Sequence, residues 1–491
     1  MSSLFADHML TWMILVPFIG MVVLLFMHDR KWVLSTTLAA TLINAALALQ
    51  LWVSFDNAEK GLQFVERVEW MPTFGIEYAV GVDGISLLLV ILTTFLPPLC
   101  VLSSWESITT RLKAFMMLIL LVEGAMLVVF TALDAFLFFM MWEVTMIPMY
   151  FMIVLWGGPN RVAAGLKYVI YSLTGSLLLL MGILGLSLQA GTFDIQALAG
   201  HDYTPDSEFW IFLALFLGFA IKLPMLPFHT WLPDAHSEAP TAGSVLLAGV
   251  LLKMGGYGFI RFCLPIFPEM SHSFAPAVLW MSVVAILYGG YMALAQEDLK
   301  RLVAYSSVSH MGFVTLGIFS FNNEGVEGAI LQMVTHGLTT GAMFLIVGQL
   351  YDRTHSRSIA DYGGLQQRMP RFVAILSLFA VASFGLPTTS NFIGEFLILV
   401  GVSYENFIFV VMAMGGIVLG AAYMLWMLQR VAFGEARTEV AKKMTDLNTR
   451  EMLTIMPLAI AVVAIGVYPG PLLEAMDSSV SFVVERLASG L

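Results

Sequence analysis

Runs of about twenty apolar residues, separated by short polar connections, recur along almost the whole chain. A helix rises about 1.5 Å per residue and the hydrocarbon of a bilayer is about 30 Å thick, so each run is long enough to cross a membrane. The pattern predicts fourteen spanning segments, near residues 10–27, 32–53, 84–102, 114–133, 135–156, 168–189, 209–231, 244–262, 275–295, 302–321, 326–350, 372–400, 406–430 and 451–470. The first run is followed by His28, Asp29, Arg30 and Lys31 rather than by small residues, so it reads as a retained helix and not as a cleaved signal peptide. The expected fold is an all-α polytopic membrane protein.

Two segments are interrupted. The seventh contains Lys222-Leu223-Pro224 and then Pro227; the twelfth contains Gly385-Leu386-Pro387, followed by Thr388, Thr389, Ser390, Asn391 and Gly394. Proline removes a backbone donor and clashes with the carbonyl four residues back, so each segment is expected to break inside the membrane. Either break alone is an ordinary kink; their positions match. If segments 4–8 (residues 114–262) and 9–13 (residues 275–430) are two five-helix units, the broken segment is the fourth member of each. An odd offset inverts the second unit, which is the arrangement of inverted-repeat transporters. Residues 1–113 then hold three segments and a polar stretch, 54–83, that forms an outer hairpin or a solvated loop. Residues 431–491 hold an inner loop and one closing helix.

Composition agrees: 59% of residues are hydrophobic, 12% are charged, and the mean hydropathy is +0.86. Charge adds orientation. Of 23 lysines and arginines, 17 fall in connections after odd-numbered segments, 4 after even-numbered ones and 2 inside the membrane. The positive-inside rule puts the odd connections on the cytoplasmic side and both termini outside, on the periplasmic side of a bacterial inner membrane. The net charge of −11 then belongs to the outer surface and says nothing of nucleic acid. The charged inner loops 351–371 and 431–450 dock a neighbour or are simply solvated. Cys100 and Cys263 are the only cysteines and sit on different segments, so there is no disulfide framework, iron–sulfur motif or zinc spacing. No Gly-rich phosphate loop follows a strand.

Against this background Glu143, Lys222, Lys253 and Glu395 stand out inside the hydrocarbon stretches. A charge at the centre of a spanning helix costs about 2.5–3.5 kcal/mol on insertion scales, so such residues face a protein interior or wet cavity. They mark an ion path. Glu143 and Lys222 are of opposite sign and read as a coupled pair that trades a proton, or as a static pair that fixes packing. Lysine suits a relay because its pKa moves readily on burial. Lys253 has no acid in its own segment and reads as a relay residue. Glu395 is its counterpart in the second unit, or a cap on the half-helix after Gly394. Glu123 either supports the Glu143 region or bonds to a polar neighbour. His229, His310 and His336 lie in apolar segments and are proton carriers or satisfied hydrogen-bonding groups; they lack the repeated paired spacing of haem ligands.

WEVTMIPMYFMIVLWGG around Glu143, KLPMLPFHTWLPDAHSEAPTAGSVLLAGVLLKMGGYG from Lys222 through Lys253, AYSSVSHMGF around His310 and DYGGL at 361–365 closely resemble the antiporter-like membrane subunits of respiratory complex I, the proton-pumping NADH:quinone oxidoreductase. The resemblance covers nearly the whole chain. Glu395 stands where sister subunits have lysine, and no long lateral helix follows, which resembles the NuoM-type group, the counterpart of mitochondrial NADH dehydrogenase subunit 4. The resemblance implies a translocase subunit that carries protons through Glu143–Lys222, then Lys253 and the histidines, with Glu395 on the outlet side. It also implies no cofactor in this chain; NADH, FMN, iron–sulfur clusters and quinone belong to partner subunits of the membrane complex. The alternatives are a subunit of a multisubunit cation/proton antiporter, a membrane-bound hydrogenase-type complex, or a scaffold that conducts nothing.

Overall fold

Helix starts follow local signals. Asp29, Asp83, Asp134, Asp298, Asn322 and Asn448 each precede a helix and accept hydrogen bonds from N–H groups of its first turn, donors that would otherwise lack partners. The computed structural model describes residues 8–436, 438, 442 and 444–489. The chain begins with Met9–Leu25 (α1), Arg30–Ser54 (α2), Gly84–Ser107 (α3), Leu112–Thr131 (α4), Ala135–Trp156 (α5) and Arg161–Ala190 (α6). It continues through Pro205–Lys222 (α7), Trp231–Glu238 (α8), Thr241–Ile266 (α9), Pro268–Leu294 (α10), Leu299–Ile318 (α11) and Asn323–Thr354 (α12). It ends with Pro370–Ser383 (α13), Ser390–Glu405 (α14), Phe407–Ala432 (α15), Thr449–Val467 (α16) and Gly470–Ser489 (α17). Among the described residues, ten helices are long and apolar enough to cross a membrane. Two of them, α9 and α12, are enclosed along their whole apolar length, whereas α2, α6, α15 and α16 turn broad apolar faces outward.

The connections gather on two opposite faces. On one, Trp156 Nε1 donates to the Thr110 carbonyl, Gly158 N to the Glu238 carbonyl, and Lys300 Nζ to the Ala239 carbonyl. On the other, Leu133 N donates to the Ala79 carbonyl and Ala135 N to the Phe193 carbonyl. The first face carries most of the basic residues and the loops 351–371 and 431–450. There, Arg353 holds both carboxylate oxygens of Glu451 at 2.6 and 2.7 Å, and Asp446 accepts from the N–H groups of Arg371 and Phe372. Residues 437, 439–441 and 443 of the second loop lie outside the described residues.

Two features depart from an all-α chain with one closing helix. Residues Gln63–Met71 (β1) and Ile76–Val82 (β2) pair antiparallel across a turn at Gly75. After α16 there is also α17, in which Glu474, Asp477, Glu485 and Arg486 interrupt the apolar run. Its buried side holds Ala475, Met476, Val480, Val483 and Leu487, the spacing of an amphipathic helix. It therefore lies on the second face: Ser479 Oγ accepts from Gly84 N at 3.0 Å, and Arg486 donates to the carbonyls of Pro265 and Ala199.

Candidate functional site

Both proline-containing segments are broken. α7 ends at Lys222 and α8 begins at Trp231; α13 ends at Ser383 and α14 begins at Ser390. Close packing fixes both ends of these gaps. A Cβ on Gly255 of α9 would lie 2.7 Å from the Phe219 carbonyl oxygen and 2.8 Å from Leu223, so only glycine lets α9 approach the end of α7. Gly385, in the second gap, has φ +72°, and a Cβ there would lie 2.6 Å from Glu395 Oε2. That conformation is open to glycine at little cost.

Lys253, on the wholly buried α9, is the centre of a polar chain. A π-helical stretch, Leu247–Leu251, widens the helix just before it, and Lys253 Nζ donates to the Ala248 carbonyl at 2.6 Å. The same nitrogen lies 2.7 Å from His336 Nδ1 on α12. The His336 and His310 rings meet edge to face with centroids 5.5 Å apart. His310 Nδ1 is 3.1 Å from Glu395 Oε1, and Gln332 Nε2 donates to the same oxygen at 3.2 Å. Lys253, His336, His310 and Glu395 are each no more than 4% exposed. Four titratable groups on four helices thus form one file through the interior. Glu395 does not cap α14: Thr389 stands at the cap position and no side chain bonds the first turn.

Glu143 and Lys222 are arranged differently. No ion pair joins them among the described residues. Lys222 Nζ lies over the rings of Trp142 and Tyr168, 5.6 and 5.7 Å from their centroids, a cation–π arrangement. Glu143 follows Trp142 on α5 and is only half-buried, with Oε1 out of solvent and without a hydrogen bond. The carboxylate and the ammonium still interact through space. Glu143 and Lys222 are therefore not in direct contact: the lysine rests on two aromatic rings while Glu143 is half-buried. His229 is buried in the first gap with its ring 5.0 Å from that of Tyr288, and neither nitrogen has a partner. Glu123 stands apart: its Oε1 accepts from Asn44 Nδ2 of α2 at 3.0 Å, which decides for a polar neighbour over the Glu143 region.

A family model described as NADH:quinone oxidoreductase/Mrp antiporter, transmembrane, matches residues 132–464, and one described as NADH-ubiquinone oxidoreductase chain 4, amino terminus, matches residues 9–129. The chain belongs to this family. Subunit M of the NADH-quinone oxidoreductase of Rhodobacter capsulatus is 46% identical over 94% of this chain and 92% of its own. Chain 4 of the NADH-ubiquinone oxidoreductase of Arabidopsis thaliana is 44% identical over 97% of each. In structure, a chain of respiratory complex I from Thermus thermophilus with bound NADH superposes with a TM-score of 0.89, at 31% identity over 97% of this chain and 99% of that one.

The structure also brings residues to the site that sequence reading passed over. His236, on α8, is fully buried, stacked flat on Phe344, and both its nitrogens lack partners. It lies just past the predicted end of the seventh segment, where a histidine looks like a loop residue. Lys300 lies two residues before the predicted start of the tenth segment and is nonetheless buried. Gln332 carried no charge to mark it. Among the described residues, no group of three or more His, Cys, Asp or Glu converges to hold a metal ion.

Proposed function

We propose that this chain is a proton-translocating membrane-arm subunit of NADH:quinone oxidoreductase, complex I, and that it moves protons while redox chemistry proceeds in partner subunits. The observation that carries this reading is the buried file Lys253–His336–His310–Glu395, set in a chain closely related to subunit M and chain 4 proteins. Glu143 and Lys222 load or discharge that file from the first broken helix, with His229 beside them as a secondary carrier. Fourteen spans, two inverted five-helix units over 114–262 and 275–430, and termini on the periplasmic side of a bacterial inner membrane complete the reading. NADH, FMN, iron–sulfur clusters and quinone are held by partners, among them sister antiporter-like subunits. Moving one charge against about 150 mV requires about 3.5 kcal/mol, which a change of charge state among closely spaced buried groups can supply.

The test is NADH:quinone reductase activity and its coupled proton uptake in membrane vesicles carrying Glu143→Gln at verified normal levels of the complex. Both are expected to fall together, since the amide keeps the volume and removes the charge. Untouched NADH oxidation with loss of sodium/proton exchange would instead assign the chain to a cation antiporter.

A further inference from the structure

The buried file leads from Lys253 toward Glu395, but nothing in it explains how a proton reaches Lys253 from the basic face. On that face a cavity of about 120 Å³ opens among the connections, with Ser107, Gly158, Glu238, Asp352 and Arg357 on its walls and Lys300 in its lining. It has room for a few water molecules and polar groups to hold them. Lys300 is only 4% exposed, and its Nζ donates to the Ala239 carbonyl at 2.7 Å. Among the described residues no ion pair satisfies it, although Glu238, Asp298, Asp352 and Arg357 all act on it through space. Arg357 is engaged elsewhere: it bonds the Ser237 carbonyl, Glu238 at 3.3 Å and Asp298 at 3.3 Å, and so fixes the cavity wall that presents Ala239.

A buried lysine without a counter-ion is expensive as architecture, because a charge out of water needs a partner to offset its desolvation. His236, fully buried and with two unpartnered ring nitrogens, feels the charges of both Lys300 and Lys253. Building on the proton-translocation reading, we infer that Lys300 is the proton-loading residue of the basic face, taking protons from water in this cavity and passing them through His236 to Lys253. In the first step a hydronium ion in the cavity becomes water as the neutral Lys300 amine becomes ammonium. In the second, the ammonium returns to amine as an unpartnered nitrogen of His236 takes the proton, and the imidazolium then protonates Lys253.

The test compares Lys300→Gln and Lys300→Arg in membrane vesicles holding the whole complex, with Lys253→Ala alongside and assembled complex quantified in each. Arginine keeps the charge and can bond the Ala239 carbonyl, but it does not release its proton. A loading role predicts that both Lys300 variants lower coupled proton uptake at least about tenfold in assembled complex. A merely structural role predicts that Lys300→Arg translocates at the parental rate, and that result overturns the inference. If Lys300→Gln fails to assemble, Lys300→Arg alone decides. Normal uptake in Lys253→Ala would bring down the translocation reading itself, whereas loss there with normal Lys300→Arg would remove only the loading assignment.

Discussion

Glu143 and Glu395 are two acids in two broken-helix regions, and their surroundings could hardly differ more. Glu395 is enclosed and bonded to His310 and Gln332, whose partners lead on to Lys253. Glu143 is half-buried, has an oxygen with no hydrogen bond, and makes no ion pair with Lys222 among the described residues, the lysine lying instead over the rings of Trp142 and Tyr168. The difference teaches that similar residue types at similar depth need not be in similar states. In the second region the groups already stand in contact, by bonds and by one ring contact. The first leaves its two charges out of contact, and on the proposed function that gap is where a switch rather than a wire belongs.

Breaking the wire should have the largest effect. Lys253→Ala removes the group bonded to His336 at 2.7 Å, and coupled proton uptake is expected to fall about a hundredfold in assembled complex, the usual worth of a positioned proton carrier. Uptake that survives Lys253→Ala but not Lys222→Ala would show that the connected file is not the path. The comparison is sharpened by shortening each acid while keeping its charge. Glu395→Asp withdraws a carboxylate from two bonds of 3.1 and 3.2 Å and should lower uptake about tenfold, whereas Glu143→Asp, which gives up no direct bond, should stay within about twofold. Equal losses would mean that Glu143 is held as rigidly as Glu395 in the working complex.

A smaller effect is expected from the backbone that cradles Glu395. Gly385→Ala places a side chain in the left-handed region, at about 1–2 kcal/mol, and also drives a methyl group against Glu395 Oε2. Gly434→Ala is the control: its φ is +87° and nothing lies within 4 Å of an added Cβ. Thermal unfolding of the purified complex should show a larger drop for Gly385→Ala than for Gly434→Ala, together with reduced uptake only in the former. Matching drops would show that strain alone, and not the contact with Glu395, sets the cost.

Much of this was legible in the chain because hydrophobic runs and prolines act locally. Pro224 and Pro387 announced the two breaks, and Lys253 and Glu395 announced themselves by standing in apolar runs. What depends on packing was not legible. The π-helical turn just before Lys253, whose Nζ bonds the Ala248 carbonyl, leaves no mark in LAGVL, a run that reads as ordinary helix. His236 and Lys300 sit at segment ends, where a polar residue is expected to meet water; only tertiary packing makes them interior. α17 escaped because a helix that lies along a face needs one apolar side, not twenty apolar residues. The half-burial of Glu143 is a matter of helix rotation, which a uniformly apolar segment does not specify.

Glu123 supplies the smallest expected effect and the cleanest control on whether burial of an acid means function. It is fully enclosed, as Glu395 is, yet its single bond runs to Asn44 on α2 and no bond ties it to the file at Lys253. Its Oε2 and Asn44 Oδ1 are both buried without partners, so two acceptors there lack donors. Glu123→Gln keeps the shape and sets an N–H donor beside the unpartnered Asn44 Oδ1, which relieves that deficit by about 1 kcal/mol, the net worth of a typical hydrogen bond. Thermal stability should hold or rise, and proton uptake should remain at the parental level. Loss of uptake in a stable, assembled Glu123→Gln complex would place Glu123 on the path and would make burial, rather than connection, the property that separates working acids from the rest.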